Sequence, residues 1–292
     1  MEQRIRQALQ RLIAALLPRR LYIKWIFDRI MPYELDTENP SSLNEKINMS
    51  KLEPSLASFH AYVDKLAVRE RIDCEYLIPL LSVFKHAEEI TVDKIPNVPF
   101  IAKTNHDSSG GVIVRDPERL DIKGLQRELR RRLRRNHWEV TKEYQYKPIE
   151  KRILFEKLLL TPDNRLPNDF KFNCFNGKVE FIYVSIDREG LNYRKIYSPT
   201  WEPLAITWTA PGNEGKFVGP EIDAPSKLQE MIRYAESLAQ SFPYVRVDLY
   251  LVDNKIYFGE LTLMHGSGLE PILPLEMDLY YGSLICERTT IR

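Results

Sequence analysis

Apolar residues recur at helical spacing along residues 1–31: Ile5, Leu9, Leu12, Ile13 and Leu16, then, past Pro18, Leu21, Tyr22, Trp25, Ile26 and Ile30. Two placements suit this stretch: a helix pair packed on the body, or a basic, aromatic-bearing helix resting on anionic lipid or a membrane-bound partner. From Ser42 to Glu89 the pattern predicts helix again, with Asp64 and Lys65 opening one that contains Arg69. After the punctuation of Pro96 to Pro99, Phe100–Lys103 reads as a strand, Thr104–Gly111 as a loop and Val112–Arg115 as a returning strand. Leu125, Leu129 and Leu133 mark a helix whose other faces carry Arg127, Arg130, Arg131, Arg132, Arg134 and Arg135, either a solvated face or a surface for an anionic substrate or partner.

Asp169–Val184 predicts a hairpin turning at Asn176-Gly177, since both residues tolerate positive φ. A two-residue turn there pairs Cys174 with Val179 and Phe172 with Phe181. Ser226–Ser241 is a helix with one stripe of Leu228, Met231, Ile232, Ala235, Leu238 and Ala239, a capping box of Ser226 with Gln229, and Pro243 beyond its end. Two strands follow, Val245–Val252 and Lys255–Met264. No internal repeat or low-complexity segment interrupts the order.

Composition changes this picture little. The chain has 292 residues, 43% hydrophobic and 28% charged, with a net charge of +1, so bulk charge gives no reason to expect nucleic acid. Cys74, Cys174 and Cys286 are odd in number and far apart, which excludes a disulfide framework or zinc ribbon. The apolar run Leu12–Leu17 is too short for a bilayer span or a signal-peptide core, so a cytoplasmic protein is expected.

Chemistry concentrates in three places. Lys103 precedes Thr-Asn-His-Asp-Ser-Ser-Gly-Gly111, a loop whose backbone N–H groups suit phosphate oxygens, although an ordinary hairpin loop has the same composition. Arg246, Asp248 and Tyr250 share one strand face; on the next strand Ile256, Phe258, Glu260 and Thr262 point one way. Two acids on neighbouring strands suit a shared cation, with the remaining ligands drawn from phosphate and water. Strand-end acids bonded to Lys or Arg are the plainer explanation. Register decides between them. A two-residue turn at Asp253-Asn254 sends Asp248 and Glu260 to opposite faces, whereas a three-residue loop or a bulge sets them side by side. Third, His265 lies in a stretch where Gly266 and Gly268 free the backbone to approach a ligand.

The order of these pieces resembles the ATP-grasp superfamily, specifically its TupA-like branch associated with bacterial surface-polysaccharide and teichuronopeptide biosynthesis. The motifs are Leu43-Asn-Glu-Lys-Ile47, Tyr62-Val-Asp-Lys65, Asp169-Phe-Lys-Phe172, Pro243-Tyr-Val-Arg-Val-Asp-Leu249 and Tyr257-Phe-Gly-Glu-Leu-Thr262 with Gly266-Ser-Gly268. The resemblance implies an α+β fold of two α/β lobes clasping ATP, with a helical N-terminal segment. In that arrangement residues 1–40 are the basic helical segment and 41–95 a helical region, 96–160 the small ATP-binding lobe and 161–292 the lobe with the metal site. It implies that Arg69 and Lys103 reach phosphates covered by Ser108, Ser109, Gly110 and Gly111. The linking strand, with Glu156, Lys157 and Leu158, reads adenine by its backbone; Asp169 meets ribose and Lys171 faces phosphate or substrate. Asp248 and Glu260 hold Mg²⁺, Arg246 steadies the acyl-phosphate, and the Gly266, Ser267 and Gly268 backbone holds an oxyanion. At the second-metal position Thr262 replaces the usual Asn, a weaker ligand. The implied activity joins a carboxylate, such as a uronic acid of a surface saccharide, to an amine, in the cytoplasm and in peripheral contact with the membrane or membrane-bound assembly proteins. A glycosyltransferase and a non-catalytic ATP-binding assembly protein are the competing classes, and the lack of an Asp-x-Asp motif counts against the first.

Overall fold

The computed structural model describes residues 10, 12–107, 110–209 and 217–285. Ser108 and Ser109, Ile5 and Leu9, and Cys286 lie outside them.

Helix α1 (Arg19–Ile30) follows helical residues 12–16 across Pro18 and buries Tyr22, Ile23, Ile26 and Phe27 with Ala14, Met31 and Leu35. It is tied to the body through Arg19 Nε to the Lys51 carbonyl (2.8 Å) and Tyr22 OH to the Val140 carbonyl (2.9 Å). The buried stripe is shifted from the expected one: Leu21 stays exposed and Ile23 goes in. Helix α2 (Leu43–Ser50) starts on a capping box, Ser42 Oγ accepting from Glu45 N and the Glu45 carboxylate accepting from Ser42 N.

The long helical reading of Ser42–Glu89 does not hold. Beyond α2 there are single-turn segments, the short α3 (His60–Val63), and a strand, β1 (Leu80–Phe84). Pro54 and Pro79 interrupt the backbone ladder, and Arg69 sits in a tight turn over 67–71.

Two antiparallel sheets carry the rest. The small one has the order β1-β4-β2-β3, with β2 (Phe100–Thr104), β3 (Val112–Val114) and β4 (Ile153–Lys157). Phe100, Ala102, Ile153 and Phe155 face helix α4 (Ile122–Leu133) and its Leu125 and Leu129; Lys103 and Glu156 therefore point to the opposite face. A short helix, α5 (His137–Thr141), follows.

The large sheet has the order β10-β9-β5-β6-β7, from β5 (Asp169–Phe175), β6 (Lys178–Ile186), β7 (Tyr193–Tyr197), β9 (Tyr244–Val252) and β10 (Lys255–Thr262). One face packs Phe172, Val184, Val247, Leu249 and Phe258 under helix α6 (Leu228–Ala239). A two-stranded ribbon, β8 (Thr207–Trp208) with β11 (Ile272–Leu273), and helix α7 (Leu275–Leu284) close one end of the other face.

Three local expectations need correction. Cys174 does pair with Val179, but a bulge then sets Phe172 against Ile182 rather than Phe181. Helix α6 has no capping box, since Lys227 occupies the cap position and Ser226 Oγ bonds to Asn254 instead. On β10, Ile256 and Phe258 do not share the face of Glu260 and Thr262. The turn at Asp253-Asn254 has two residues, both at positive φ, so Phe258 pairs with Leu249; a bulge at Gly259 then pairs Glu260 with Asp248. Gly suits that point, because a Cβ there would lie 3.0 Å from the Asp248 carbonyl and from the Tyr250 ring. The bulge leaves Phe258 and Leu261 in the core and turns Glu260 to the open face.

Candidate active site

Across the open face of the large sheet runs one row of paired residues, Glu260–Asp248–Lys171–Tyr183. Lys171 Nζ lies 2.6 Å from both Asp169 Oδ2 and Asp248 Oδ2. Arg246 makes a forked contact with Asp248, at 2.6 and 2.7 Å, and reaches Glu260 Oε1 at 3.2 Å. Lys65 completes the group, 3.6 Å from Glu260 Oε2. Burial alone opposes a charge on Glu260, but Lys65, Arg246, Lys171 and Lys103 outweigh it and hold its pKa at about 2. Burial also opposes the charge on Arg246, and Asp248 and Glu260 more than offset it, raising its pKa. Arg246 is therefore held by two carboxylates of the site itself. One acid lies two residues along its own strand and the other on the neighbouring strand, so the guanidinium is neutralised where it sits.

Behind Arg246 sits His265. Arg246 Nη1 donates to His265 Nδ1 at 2.7 Å, which fixes the tautomer, and Nε2–H donates to Glu270 Oε2 at 3.0 Å. Burial, helped by the charge of Arg246, pushes the imidazole pKa down to about 4 despite Glu270. His265 is a neutral acceptor that orients the arginine.

Over this row hangs the cleft face of the small sheet. Glu156, 4% exposed, is held by Lys103 Nζ at 2.5 Å and Arg69 Nη1 at 3.1 Å, and Arg69 also donates to the Ile78 carbonyl. A cavity of about 70 Å³ between the sheets is bounded by Ile101, Lys103, Glu156 and Leu158 on one side and Arg188 and Tyr250 on the other. The N–H groups of Lys157 and Leu158 donate to the carbonyls of Pro79 and Pro99, so neither is open to a ligand. Gly110 adopts φ +68°, and a Cβ on Gly111 would come within 2.3 Å of Ile101.

Gly266, Ser267 and Gly268 all have positive φ, which only a tightly tied turn maintains. Ser267 N donates to Met264 O, Ser267 Oγ to Glu143, and the Ser267 and Gly268 carbonyls accept from Lys51 Nζ and Asn48 Nδ2. Gly268 packs so closely on α2 that a Cβ would lie 2.5 Å from Asn48 Nδ2. Thr262 lies on the same face, its hydroxyl 3.4 Å from Glu260 Oε1.

The described residues thus bring together Arg246, Asp248, Glu260, Thr262, Lys171 and Asp169 in one group, and Arg69, Lys103 and Glu156 in another. Lys65, Glu270 and Arg188 were missed, whereas Tyr250 was read on the strand face of Arg246 and Asp248. Lys65 was visible within Tyr62-Val-Asp-Lys65; nothing in the sequence marks the others. Among the described residues no group of three or more His, Cys, Asp or Glu is disposed to hold an ion unaided. Two carboxylates with a hydroxyl, and cations that can move off them, do fit an ion whose other ligands are phosphate and water.

Among solved structures, the chain is similar to D-alanine–D-alanine ligase from Bacillus anthracis, at 18% identity over 78% of this chain and 66% of that one, with a TM-score of 0.43. The corresponding ligase from Helicobacter pylori gives 15%, 83%, 68% and 0.42. An ADP complex of N5-carboxyaminoimidazole ribonucleotide synthetase gives 14%, 71%, 46% and 0.42. The chain spans 66% of the first and 46% of the last. No curated protein matches it. Residues 45–286 match the family model described as TupA-like ATPgrasp, and the chain belongs to that ATP-grasp family.

Proposed function

We propose that this protein is an ATP- and Mg²⁺-dependent ligase that activates a carboxylate as an acyl-phosphate and joins it to an amine. The main support is the Gly259 bulge, which sets Asp248 and Glu260 side by side beneath Lys171 and Arg246. Asp248 and Glu260 would hold the ion, with Thr262 as a weaker neighbour, and the ion supplies positive charge at the phosphates. With these acids serving an ion, Lys171 and Arg246 would be free to face the transferring phosphoryl group. Lys103 and Arg69 hold the remaining phosphates with the 110–111 turn and Ser108 and Ser109. Adenine enters the cavity between Leu158 and Tyr250. Since the Lys157 and Leu158 N–H groups are engaged, its backbone contacts come from the carbonyls and from Leu159. Asp169 meets the ribose.

A carboxylate oxygen of the substrate attacks the γ-phosphorus and ADP leaves. The amine nitrogen then attacks the acyl carbon, and phosphate departs carrying that oxygen while the amine loses a proton. Arg246 steadies both charged states; with the Ser267 N–H engaged by the Met264 carbonyl, the N–H groups of Gly266 and Gly268 would hold the oxyanion. The substrate pair follows from the family resemblance: a uronic acid of a bacterial surface polysaccharide or its precursor, and an amino acid or amine. Such an enzyme works in the cytoplasm, at or near the membrane face; among the described residues no helix is long and apolar enough to cross a membrane.

The test is ADP release from Mg·ATP with ¹⁸O-labelled glucuronate and a mixture of amino acids. One ¹⁸O in the released phosphate, dependent on both substrates, is the expected result. Nucleotide binding without acceptor-dependent ADP would mark a non-catalytic binder.

A further inference from the structure

A second cavity, about 180 Å³, opens on the same face of the large sheet, three strands from Asp248. At ~30 Å³ per water, it has room for about six water molecules, or one small organic group. Its floor is Tyr183 and Arg194, its wall Trp208 and Thr209, and its rim Leu204 and Ile206. The pairing of Asp169 with Ser185, and of Ser185 with Arg194, puts the Arg194 side chain on the side that carries Asp169 and Lys171.

The charge at this spot meets no carboxylate at ion-pair distance among the described residues; Glu270 acts on it from farther off and is itself bonded to His265. Lys65, Arg69, Lys103, Lys171 and Arg246 each meet a carboxylate. Among the described residues Arg194 makes no ion pair; it donates to Thr209 Oγ1 at 2.9 Å and weakly to the Trp208 carbonyl, and lies 5.7 Å from the Tyr183 ring centroid. Thr209 is itself buried. A half-buried guanidinium, oriented by a buried hydroxyl and facing an empty space, is suited to accept an anion there. The cavity is also adjacent to the chemistry. Trp208 packs against His265, their ring centroids 3.7 Å apart and their planes tilted by 33°, and His265 bonds Arg246. It shares no lining residue with the cavity at Leu158 and Tyr250, so it is available to a molecule other than the nucleotide.

We propose that this cavity binds a non-reacting carboxylate of the amine substrate, with Arg194 as the residue that recognises it and Trp208 and Ile206 packing its carbon skeleton. The assignment of the occupant as the amine substrate rests on the ligase reading. Anion binding at Arg194 does not.

The experiment is ligand-observed NMR on the full chain with Mg·ATP, using a mixture of the common amino acids, their methyl esters, the corresponding decarboxylated amines and inorganic phosphate. At least one amino acid should bind, its ester and amine analogues at least tenfold more weakly. Arg194→Gln should weaken it by about ten- to a hundredfold, the worth of a charged hydrogen bond, with Mg·ATP affinity unchanged. Arg194→Lys, which keeps the charge and guards against a folding defect in the first variant, should recover part of the loss. Equal binding of acid and ester, undiminished binding by both variants, or binding of phosphate alone overturns the proposal. Arg194-dependent amino-acid binding by a protein that fails to bind Mg·ATP overturns the ligase reading and leaves the anion site standing.

Discussion

Glu156 in the small sheet and Asp248 in the large one are both buried carboxylates, each gripped by two cations, yet their surroundings differ in charge balance. Glu156 alone faces Arg69 and Lys103, leaving one positive charge in excess. Asp248 shares Lys171, Arg246 and Lys65 with Asp169 and Glu260, so three acids meet three bases. An uncompensated cation beside a cavity suits a polyanionic ligand. A balanced cluster can exchange one of its cations for a metal ion without leaving a buried charge unpaired. The first is a place to hold phosphate; the second is a place where charges change partners.

Asp248→Asn should break this contrast most severely. Lys171 and Arg246 lose their shared partner, which costs about 3–5 kcal/mol of stability, and turnover should fall on the order of a thousandfold. Denaturant unfolding and ADP release read the two effects; near-normal turnover would remove Asp248 from the metal pair. Arg246→Ala comes next, at about 3 kcal/mol or a hundredfold in turnover, with ATP affinity changed much less and partial recovery in Arg246→Lys. Loss of ATP binding with normal turnover at saturating ATP would make it a nucleotide residue.

His265 sharpens the comparison through pH. Its folded pKa, about 4, lies below the free value of 6.5, so the folded state keeps it neutral while the unfolded chain protonates. Its contribution is complete above pH 6.5 and lost as pH falls toward 4, on the order of 3 kcal/mol. In His265→Gln the slope of stability against pH across that window should flatten, and an unchanged slope would contradict the neutral acceptor. The smallest effect belongs to Glu156→Gln. It keeps an acceptor for Lys103 and Arg69, so stability should drop by only about 2 kcal/mol, with turnover at saturating ATP unchanged.

Strands and helices with a clean period were legible in the sequence: β2, β5, β9, β10, α4 and α6 all fall where apolar spacing put them. The region between Ser50 and Leu80 was not, because its apolar residues pack from single turns against the large sheet and α2 rather than along one helical stripe. At the site, Asp248, Glu260 and Arg246 were readable because charge on a strand that is otherwise apolar is costly. Their mutual pairing was not, since it depends on register, and Lys65 comes from a turn far away in sequence. The alternatives for Asp248 and Glu260, opposed or adjacent, were both open until the bulge was seen.

That single extra residue makes the hairpin a parity device. Along β10, odd and even positions trade places between oil and water at Gly259, so forcing this extra residue into regular pairing with Asp248 would not weaken the acidic pair by degrees. It would send the glutamate beneath α6 and lift Leu261 into the cleft, and every later residue of the strand would change sides with them. Lengthening the Asp253-Asn254 turn carries no such penalty, because the added residues lie outside the ladder. An extra residue at the tip of the hairpin is thus absorbed, whereas one taken into the ladder at Gly259 inverts every position beyond it.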